Sequence, residues 1–109
     1  MADLHIAEIP YDSGAIHLRY SRVLSDDSTR WIRHGLFVEY SESGTVLAEG
    51  SYVNGKEDGL WCSFHENGQK AAEGHYVAGK EEGTWNFWTM TGQQEQSVNY
   101  RSGEEVAEK

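Results

Sequence analysis

Few side chains of this chain are of the types that catalyse reactions or bind metals, and their spacing does not bring them together. The 109 residues include one cysteine, Cys62, and five histidines: His5, His17, His34, His65 and His75. A metal site usually needs three converging ligands, and no His-x-His or His-x₃-His spacing occurs. Cys62 lies between Trp61 and Ser63, without the electropositive neighbours that activate a thiolate. We therefore predict no enzyme activity, no catalytic residue, no cofactor and no metal site, and we interpret Cys62 as a packed side chain.

The carboxylates are the side chains whose spacing does point to a function. Acidic pairs recur 24 and then about 23 positions apart, at Glu57-Asp58, Glu81-Glu82 and Glu104-Glu105. Two interpretations stay open: solvated loops that protect exposed strand edges, or an electrostatic surface that steers a basic partner towards the protein. In the second interpretation Glu57, Asp58, Glu81 and Glu82 bind the partner. Trp88 is then the exposed aromatic anchor, because tryptophan is favoured at interfaces.

The formal net charge of −9 restricts the partners. Nucleic acids and anionic lipids both require clustered lysine and arginine, so we expect neither nucleic-acid binding nor direct membrane binding. A basic protein is the partner that this charge favours. The opening residues MADLHIAEIP lack the apolar core of a signal peptide, and no stretch approaches the ~20 apolar residues that span a bilayer. We expect a cytoplasmic protein.

An internal repeat must position these residues. Segments beginning at Gly35, Gly59 and Gly83 align without insertion, so the period is 24 residues. Eleven of the 12 glycines fall in this register, as do Tyr52, Tyr76 and Tyr100. Many glycines beside many aromatic residues favour tightly turned β structure. The expected fold class is all-β: a single twisted antiparallel meander sheet built of tandem 24-residue β-hairpin repeats.

The turn Asn67-Gly68 sets the expected strand register. If these two residues form the whole hairpin loop, cross-strand partners have numbers that sum to 135, so Trp61 faces Gly74. The same rule pairs Phe37 with Gly50, and it pairs Trp85 with Val98. An aromatic ring lying across its facing glycine would shield the exposed backbone.

The predicted organisation has three parts. Residues 1–34 form an N-terminal capping segment with a degenerate repeat around Gly14, residues 35–102 form three repeats (35–58, 59–82 and 83–102), and residues 103–109 form an acidic, frayed tail. Alternation along the strands makes both sheet faces partly apolar in the first two repeats. We therefore expect the N-terminal segment to cover one face. The strand near Gln94–Arg101 would be an unpaired edge, which allows a homodimer.

The run EGSYVNGKEDGLWCSFHENGQKAAEGHYVAGKEEGTWNFW resembles the MORN-repeat variant of bacterial proteins, the form grouped as YwqK-type antitoxin proteins. The resemblance covers about Gly35 to Tyr100. It implies single-layer antiparallel sheets and protein interaction, and for some members neutralisation of a toxin. Two functions follow as hypotheses: an antitoxin or immunity-like protein that masks a basic partner, or a structural scaffold with another protein partner, including membrane-associated assemblies. The third repeat departs from the pattern, because Val98 replaces the strand glycine and one face becomes polar.

Overall fold

The computed structural model describes residues 4–106, which form ten β-strands. Their bounds are β1 His5–Pro10, β2 Ile16–Leu24, β3 Trp31–Tyr40, β4 Val46–Val53, β5 Lys56–Glu57, β6 Gly59–Phe64, β7 Lys70–Val77, β8 Lys80–Trp88, β9 Gln94–Arg101 and β10 Glu104–Val106.

All strands belong to one antiparallel sheet in meander order, with the short β5 pairing only with β4. The predicted fold class is therefore confirmed. The radius of gyration of 15.8 Å exceeds the roughly 13 Å of a compact domain of this length, as expected for a sheet without a second layer. Within residues 4–106 no helix has the length and apolar character that a membrane crossing requires.

The two edges of the sheet where strands reverse use different turns. On one edge, three-residue loops end in a left-handed glycine, at Gly14, Gly44, Gly68 and Gly92. The residue that precedes each loop closes it through its N–H and C=O, as in His65 N to Gln69 O at 2.8 Å and Gly68 N to His65 O at 2.8 Å. This is the type I turn with a G1 bulge, not the two-residue Asn67-Gly68 turn that we predicted.

The opposite edge carries the true two-residue turns. Positive φ angles occur at both central residues of Asn54-Gly55, Ala78-Gly79 and Ser102-Gly103, which defines type I′ turns. Asn-Gly is the sequence most typical of this turn, yet alanine and serine occupy the first position in the later repeats.

The predicted register is confirmed although the predicted turn is wrong. Trp61 pairs with Gly74, Phe37 with Gly50, and Trp85 with Val98. In each hairpin one extra residue bulges from the returning strand just after the loop, at His17, Leu47, Ala71 and Glu95. A three-residue loop lowers the sum of the two paired residue numbers by one, and the bulge raises this sum again by one. Loop and bulge therefore cancel, and the same side chains face each other as with a two-residue turn.

The tryptophan rings, however, do not lie over the residues that face them within their own hairpin, Gly74 for Trp61 and Val98 for Trp85. The indole of Trp61 lies on Gly50 and that of Trp85 lies on Gly74, each on the preceding hairpin; a Cβ at either glycine would overlap the ring. Each indole N–H also donates to a carbonyl of that hairpin: Trp61 to Ser51 O at 2.9 Å, and Trp85 to His75 O at 3.1 Å. The contact thus joins successive repeats.

This packing explains why the third repeat lacks its strand glycine. A glycine is needed only where the tryptophan of the following repeat covers the strand. The position one period after Trp85 is Lys109, so no tryptophan follows to cover Val98. The loss of glycine is therefore consistent with the end of the tryptophan series.

The N-terminal segment extends the sheet and does not cover a face, contrary to our expectation. β1 pairs with β2, and β2 pairs with β3. Backbone pairing satisfies the N–H and C=O groups of the β3 edge, which a segment laid across a face would leave open. The same three-residue loop recurs around Gly14, so the resemblance of this segment to a repeat is structural as well.

The C-terminal tail is also ordered where we expected fraying. β10 pairs with Asn99–Arg101 of β9, while residues 107–109 lie outside the described part of the chain. The remaining part of β9, residues 94–98, has no further strand beside it among residues 4–106. The unpaired edge is therefore shorter than predicted.

The packing of Trp85 on Gly74 predicts that a single methyl group added at Gly74 destabilises the fold. We expect Gly74→Ala to lower the free energy of unfolding by about 1–3 kcal/mol, because the added Cβ forces the indole off its site. Urea denaturation of the variant and the wild-type protein measures this difference. In a Trp85→Leu background the same substitution should cost clearly less, because the ring is gone. Equal costs in both backgrounds would contradict the contact.

The loop between β2 and β3 contains a carboxylate with a lowered pKa. Asp27 Oδ1 accepts hydrogen bonds from Thr29 Oγ1 at 2.6 Å, Ser25 Oγ at 2.7 Å and Thr29 N at 3.1 Å. These bonds favour the charged form and lower the pKa of Asp27 from 3.8 to about 2.

A folded-state pKa below the unfolded value has a defined consequence for stability. The contribution of Asp27 should be present above about pH 4 and be lost as the pH falls towards 2. An NMR titration of the Asp27 carboxyl group should give a midpoint near 2, and Thr29→Val should move it upwards. A wild-type midpoint near 3.8 would show that the loop bonds do not form in solution.

Candidate functional site

One face of the sheet carries a continuous row of aromatic rings, called here the aromatic face. Neighbouring rings in the row have centroids 5.0–6.4 Å apart, and their order is Tyr20, Phe37, Tyr52, Trp61, Tyr76, Trp85 and Tyr100. Most pairs are edge-to-face, the geometry that the ring quadrupole prefers. Phe37 and Trp85 are buried, whereas Trp61 and Tyr76 remain half-buried and reachable from solvent.

The opposite face, called here the aliphatic face, exposes large apolar side chains in the first two repeats. Leu36 is 67% exposed and Leu60 is 50% exposed, and they line a shallow groove of about 220 Å³ with Val38 and Cys62. Burial raises the pKa of the Cys62 thiol, and its Sγ lies 3.8 Å from Glu73 Oε1. A raised pKa keeps the thiol protonated and unreactive.

On the aliphatic face the third repeat carries polar side chains, and these side chains form hydrogen bonds with one another. Ser97 Oγ donates to Asn86 Oδ1 at 2.6 Å, and Gln94 Nε2 donates to the same oxygen at 3.0 Å. Thr84 Oγ1 donates to Asn99 Oδ1 at 2.7 Å. This network ends the apolar surface at the boundary between the second and third repeats.

The predicted acidic residues divide into two structural classes. Asp58 and Glu82 hold turns: Asp58 Oδ1 accepts the N–H of Ala78 at 3.2 Å, and Glu82 Oε1 accepts the N–H of Ser102 at 3.0 Å. In the first repeat His34 Nδ1 accepts the N–H of Asn54 at 3.1 Å. The three acceptors are 24 residues apart, so this position fixes the first residue of each type I′ turn.

A backbone bond fixes the second residue of each of these turns. Gly79 N donates to Glu57 O at 2.8 Å, and Gly103 N donates to Glu81 O at 2.9 Å. In the first repeat Gly55 N donates to Arg33 O at 2.8 Å. Each turn is thus held by two bonds from the preceding hairpin, which explains why alanine and serine are tolerated at a left-handed position.

Glu57 and Glu81 form the second class, because they lie on the aromatic face, with Glu57 Oε1 beside Gly79 and Glu81 Oε1 beside Gly103 of the following type I′ turns. Glu57 pairs with Tyr52 across the strands and Glu81 pairs with Tyr76, and directly paired residues share a face. Neither carboxylate forms an ion pair among residues 4–106; the pairs there are His17–Glu39, Arg19–Glu8 and Lys70–Glu73.

Trp88, the predicted exposed anchor, is half-buried on the aliphatic face. The Lys70 ammonium lies 5.9 Å from its ring centroid, and its carbonyl accepts a hydrogen bond from His65 Nε2 at 2.8 Å. The structure therefore places it away from Glu57 and Glu81, on the other side of the sheet. The predicted site residues do not form one cluster.

Sequence reasoning missed Arg33. Its guanidinium carbon lies 4.8 Å, 5.1 Å and 5.5 Å from the ring centroids of Tyr20, Phe37 and Tyr52, and its Nη1 donates to the Tyr52 hydroxyl at 3.3 Å. The signal was present, because Arg33 stands 24 residues before Glu57 and so holds the equivalent position. Among residues 4–106 no three His, Cys, Asp or Glu side chains converge on a metal position.

The role of Asp58 in holding a turn predicts a stability effect that depends on its acceptor oxygen. Asp58→Ala should lower the free energy of unfolding by about 1 kcal/mol, because the N–H of Ala78 loses its partner. Asp58→Asn keeps an acceptor and should stay close to the wild-type protein. Chemical denaturation of both variants measures this, and an equal loss in both would mean that charge, not the hydrogen bond, matters.

Comparison with known proteins agrees with the repeat geometry. Residues 33–54 and 57–78 match the family model described as MORN repeat variant. No curated protein and no solved structure matches the chain. The matched segments cover most of the first two predicted repeats, and the third lies outside them. The chain thus carries two repeats similar to the MORN repeat variant, a kind of repeat that generally serves for binding proteins or membranes and not for catalysis.

Proposed function

We propose that this chain is a non-enzymatic, cytoplasmic protein-binding module that masks a basic protein partner, in the manner of an antitoxin or immunity protein. The observation that carries this proposal is a pair of carboxylates, Glu57 and Glu81, that form no ion pair among residues 4–106 and stand beside half-buried aromatic rings on a single-layer sheet. A partner that covers this face meets negative charge and aromatic rings together.

The overall charge supports the same kind of partner. A net charge of −9 on a small protein attracts a basic protein over distances of about a Debye length, roughly 10 Å at 0.1 M salt. Two of the carboxylates that we had assigned to the partner, Asp58 and Glu82, already hold turns. Asp58 and Glu82 therefore contribute to the electrostatic field around the type I′ turns, whereas Glu57 and Glu81 are available for direct contacts with the partner.

A structural scaffold is the second candidate function, and the aliphatic face favours it. Leu36 and Leu60 expose apolar surface that neither β1 nor any other described strand covers. Such surface is typical of an interaction site. An uncharged protein partner, a membrane-associated assembly or a second copy bound through the edge of β9 would use this face and not the carboxylates.

Affinity capture from native cells, followed by reconstitution with the purified captured protein, tests the proposal. We expect a captured protein with a strongly basic isoelectric point, and a dissociation constant that rises steeply with salt concentration. Reversing Glu57 and Glu81 to Lys should weaken binding more than reversing Glu42 and Glu66, which lie in loops on the opposite edge.

The contrary outcomes point to the scaffold. A captured partner of acidic or neutral character, binding that salt does not change, or sedimentation of the protein with liposomes would each reject the masking of a basic protein. Loss of binding in Leu36→Ser together with Leu60→Ser, with Glu57 and Glu81 unimportant, would place the interface on the aliphatic face.

A further inference from the structure

Two arginines at the N-terminal end of the aromatic face stand directly opposite each other. Arg22 of β2 pairs with Arg33 of β3 across the strands, and directly paired residues share a face. Like charges in this arrangement repel each other, so a neighbouring carboxylate would be expected to separate them. Neither arginine, however, belongs to any of the ion pairs formed among residues 4–106.

Glu57 shares the aromatic face with the two arginines but does not neutralise them. It pairs with Tyr52 across the strands, and its Oε1 lies beside Gly79, on the type I′ turn of the following repeat. Arg33 bonds to a neutral group instead, because its Nη1 donates to the Tyr52 hydroxyl at 3.3 Å. The two positive charges are therefore not balanced by any carboxylate in the described part of the chain.

Arg22 also contains a hydrogen-bond donor without an acceptor. Its Nε is buried and has no hydrogen-bond partner among the described residues. The guanidinium carbon lies 4.1 Å from the centroid of the Trp31 ring, but this cation–π contact does not replace a hydrogen-bond acceptor. Buried donors in folded proteins are nearly always bonded, and a bound ion or ligand is one of the partners that they take.

Aromatic rings hold both guanidinium groups in place. The guanidinium carbon of Arg33 lies 4.8–5.5 Å from three ring centroids, and that of Arg22 lies on the Trp31 ring. His5 packs edge-to-face against the same tryptophan, with the two centroids 5.0 Å apart. Side chains that are already ordered lose little conformational entropy when a ligand binds, so this packing favours recognition by the two arginines.

We propose that Arg22 and Arg33 together bind an oxyanion, the phosphate or carboxylate group of a ligand. A guanidinium presents its N–H donors in a rigid plane that matches two oxygens of such a group, and two guanidiniums supply the opposite charge. The oxyanion would relieve the repulsion between the arginines and accept hydrogen bonds that the chain itself does not. This inference goes beyond the proposed function, because it concerns an anionic ligand and not the basic partner.

The net charge of −9 does not prevent such binding. Salt screens exposed charges beyond a Debye length, which is about 10 Å at 0.1 M ionic strength. The charges next to the ligand therefore decide the interaction, and next to this site they are the two guanidinium groups.

Titration with inorganic phosphate, followed by NMR, tests the proposal. Phosphate replaces chloride at constant ionic strength and constant pH, and the side-chain N–H resonances of arginine and tryptophan report on binding. We expect saturable shifts for Arg22 Nε–H and for the indole N–H of Trp31, with Arg101 and Trp88 unchanged. Shifts that grow without saturation up to the solubility limit, or that are equally large for Arg101, would overturn the proposal.

Charge-matched variants locate the site. Arg22→Gln and Arg33→Gln should each raise the dissociation constant for phosphate by about tenfold or more, as expected for a lost hydrogen bond to a charged group. Arg101→Gln on β9 changes the net charge equally and should leave the constant unchanged. Arg22→Lys and Arg33→Lys keep the charge without the planar fork, so both should bind with intermediate strength. Equal constants for Arg22→Gln and Arg101→Gln would reject the site even if the wild-type protein binds phosphate.

Acetate in place of phosphate identifies the group that the site prefers. Tighter binding of phosphate assigns a phosphate ligand, and tighter binding of acetate assigns a carboxylate; either result supports an oxyanion site. Arg22→Gln leaves Glu57 and Glu81 intact, so it should still bind a captured basic partner. Loss of the oxyanion site therefore leaves the proposed function standing, and loss of the basic partner leaves the oxyanion site standing.

Discussion

The structure depends on one contact: a tryptophan ring laid on the bare backbone of the preceding hairpin, with its indole N–H bonded to a carbonyl there. Trp61 covers Gly50 and Trp85 covers Gly74, so each contact couples one repeat to the last. A single-layer sheet has little interior, and among residues 4–106 no large side chain is fully buried. Ring burial and backbone pairing between neighbours must then supply most of the stability. Stability of this kind is nearly a sum of nearest-neighbour terms, as in other repeat proteins.

The same repetition leaves the surface as a periodic set of positions whose side chains can differ. The acceptor that holds each type I′ turn is His34, Asp58 or Glu82, and each accepts the N–H of the first residue of its turn. The neighbouring position is Arg33, Glu57 or Glu81, and there the sign of the charge beside the aromatic face changes from the first repeat to the later ones. Carboxylates that hold a turn and carboxylates that do not therefore stand side by side in the sequence, which is why the acidic pairs alone could not separate them.

The period, the strand pairing and the fold class could be predicted from the sequence, because the glycine spacing marks the turns and the alternation of side chains marks the strands. It could not distinguish a two-residue loop from a three-residue loop with a compensating bulge, since Trp61 faces Gly74 in either case. Nor could it show which neighbouring strand a ring covers, because that depends on the side-chain rotamer. The N-terminal segment was misplaced because exposed apolar residues suggested a cover, whereas the unpaired edge of β3 needed a strand. Arg33 was overlooked because it lies just before the first aligned repeat.

Ring-current shifts of glycine protons measure the central contact most directly. We expect the Gly74 Hα resonances to lie upfield of those of the turn glycines, and Trp85→Leu to return them to ordinary values while Gly50 stays shifted. Trp61→Leu should do the reverse, releasing Gly50 alone. If the Gly74 resonances respond instead to Trp61, its partner across the hairpin, the rings pack within repeats and the coupling between them does not exist.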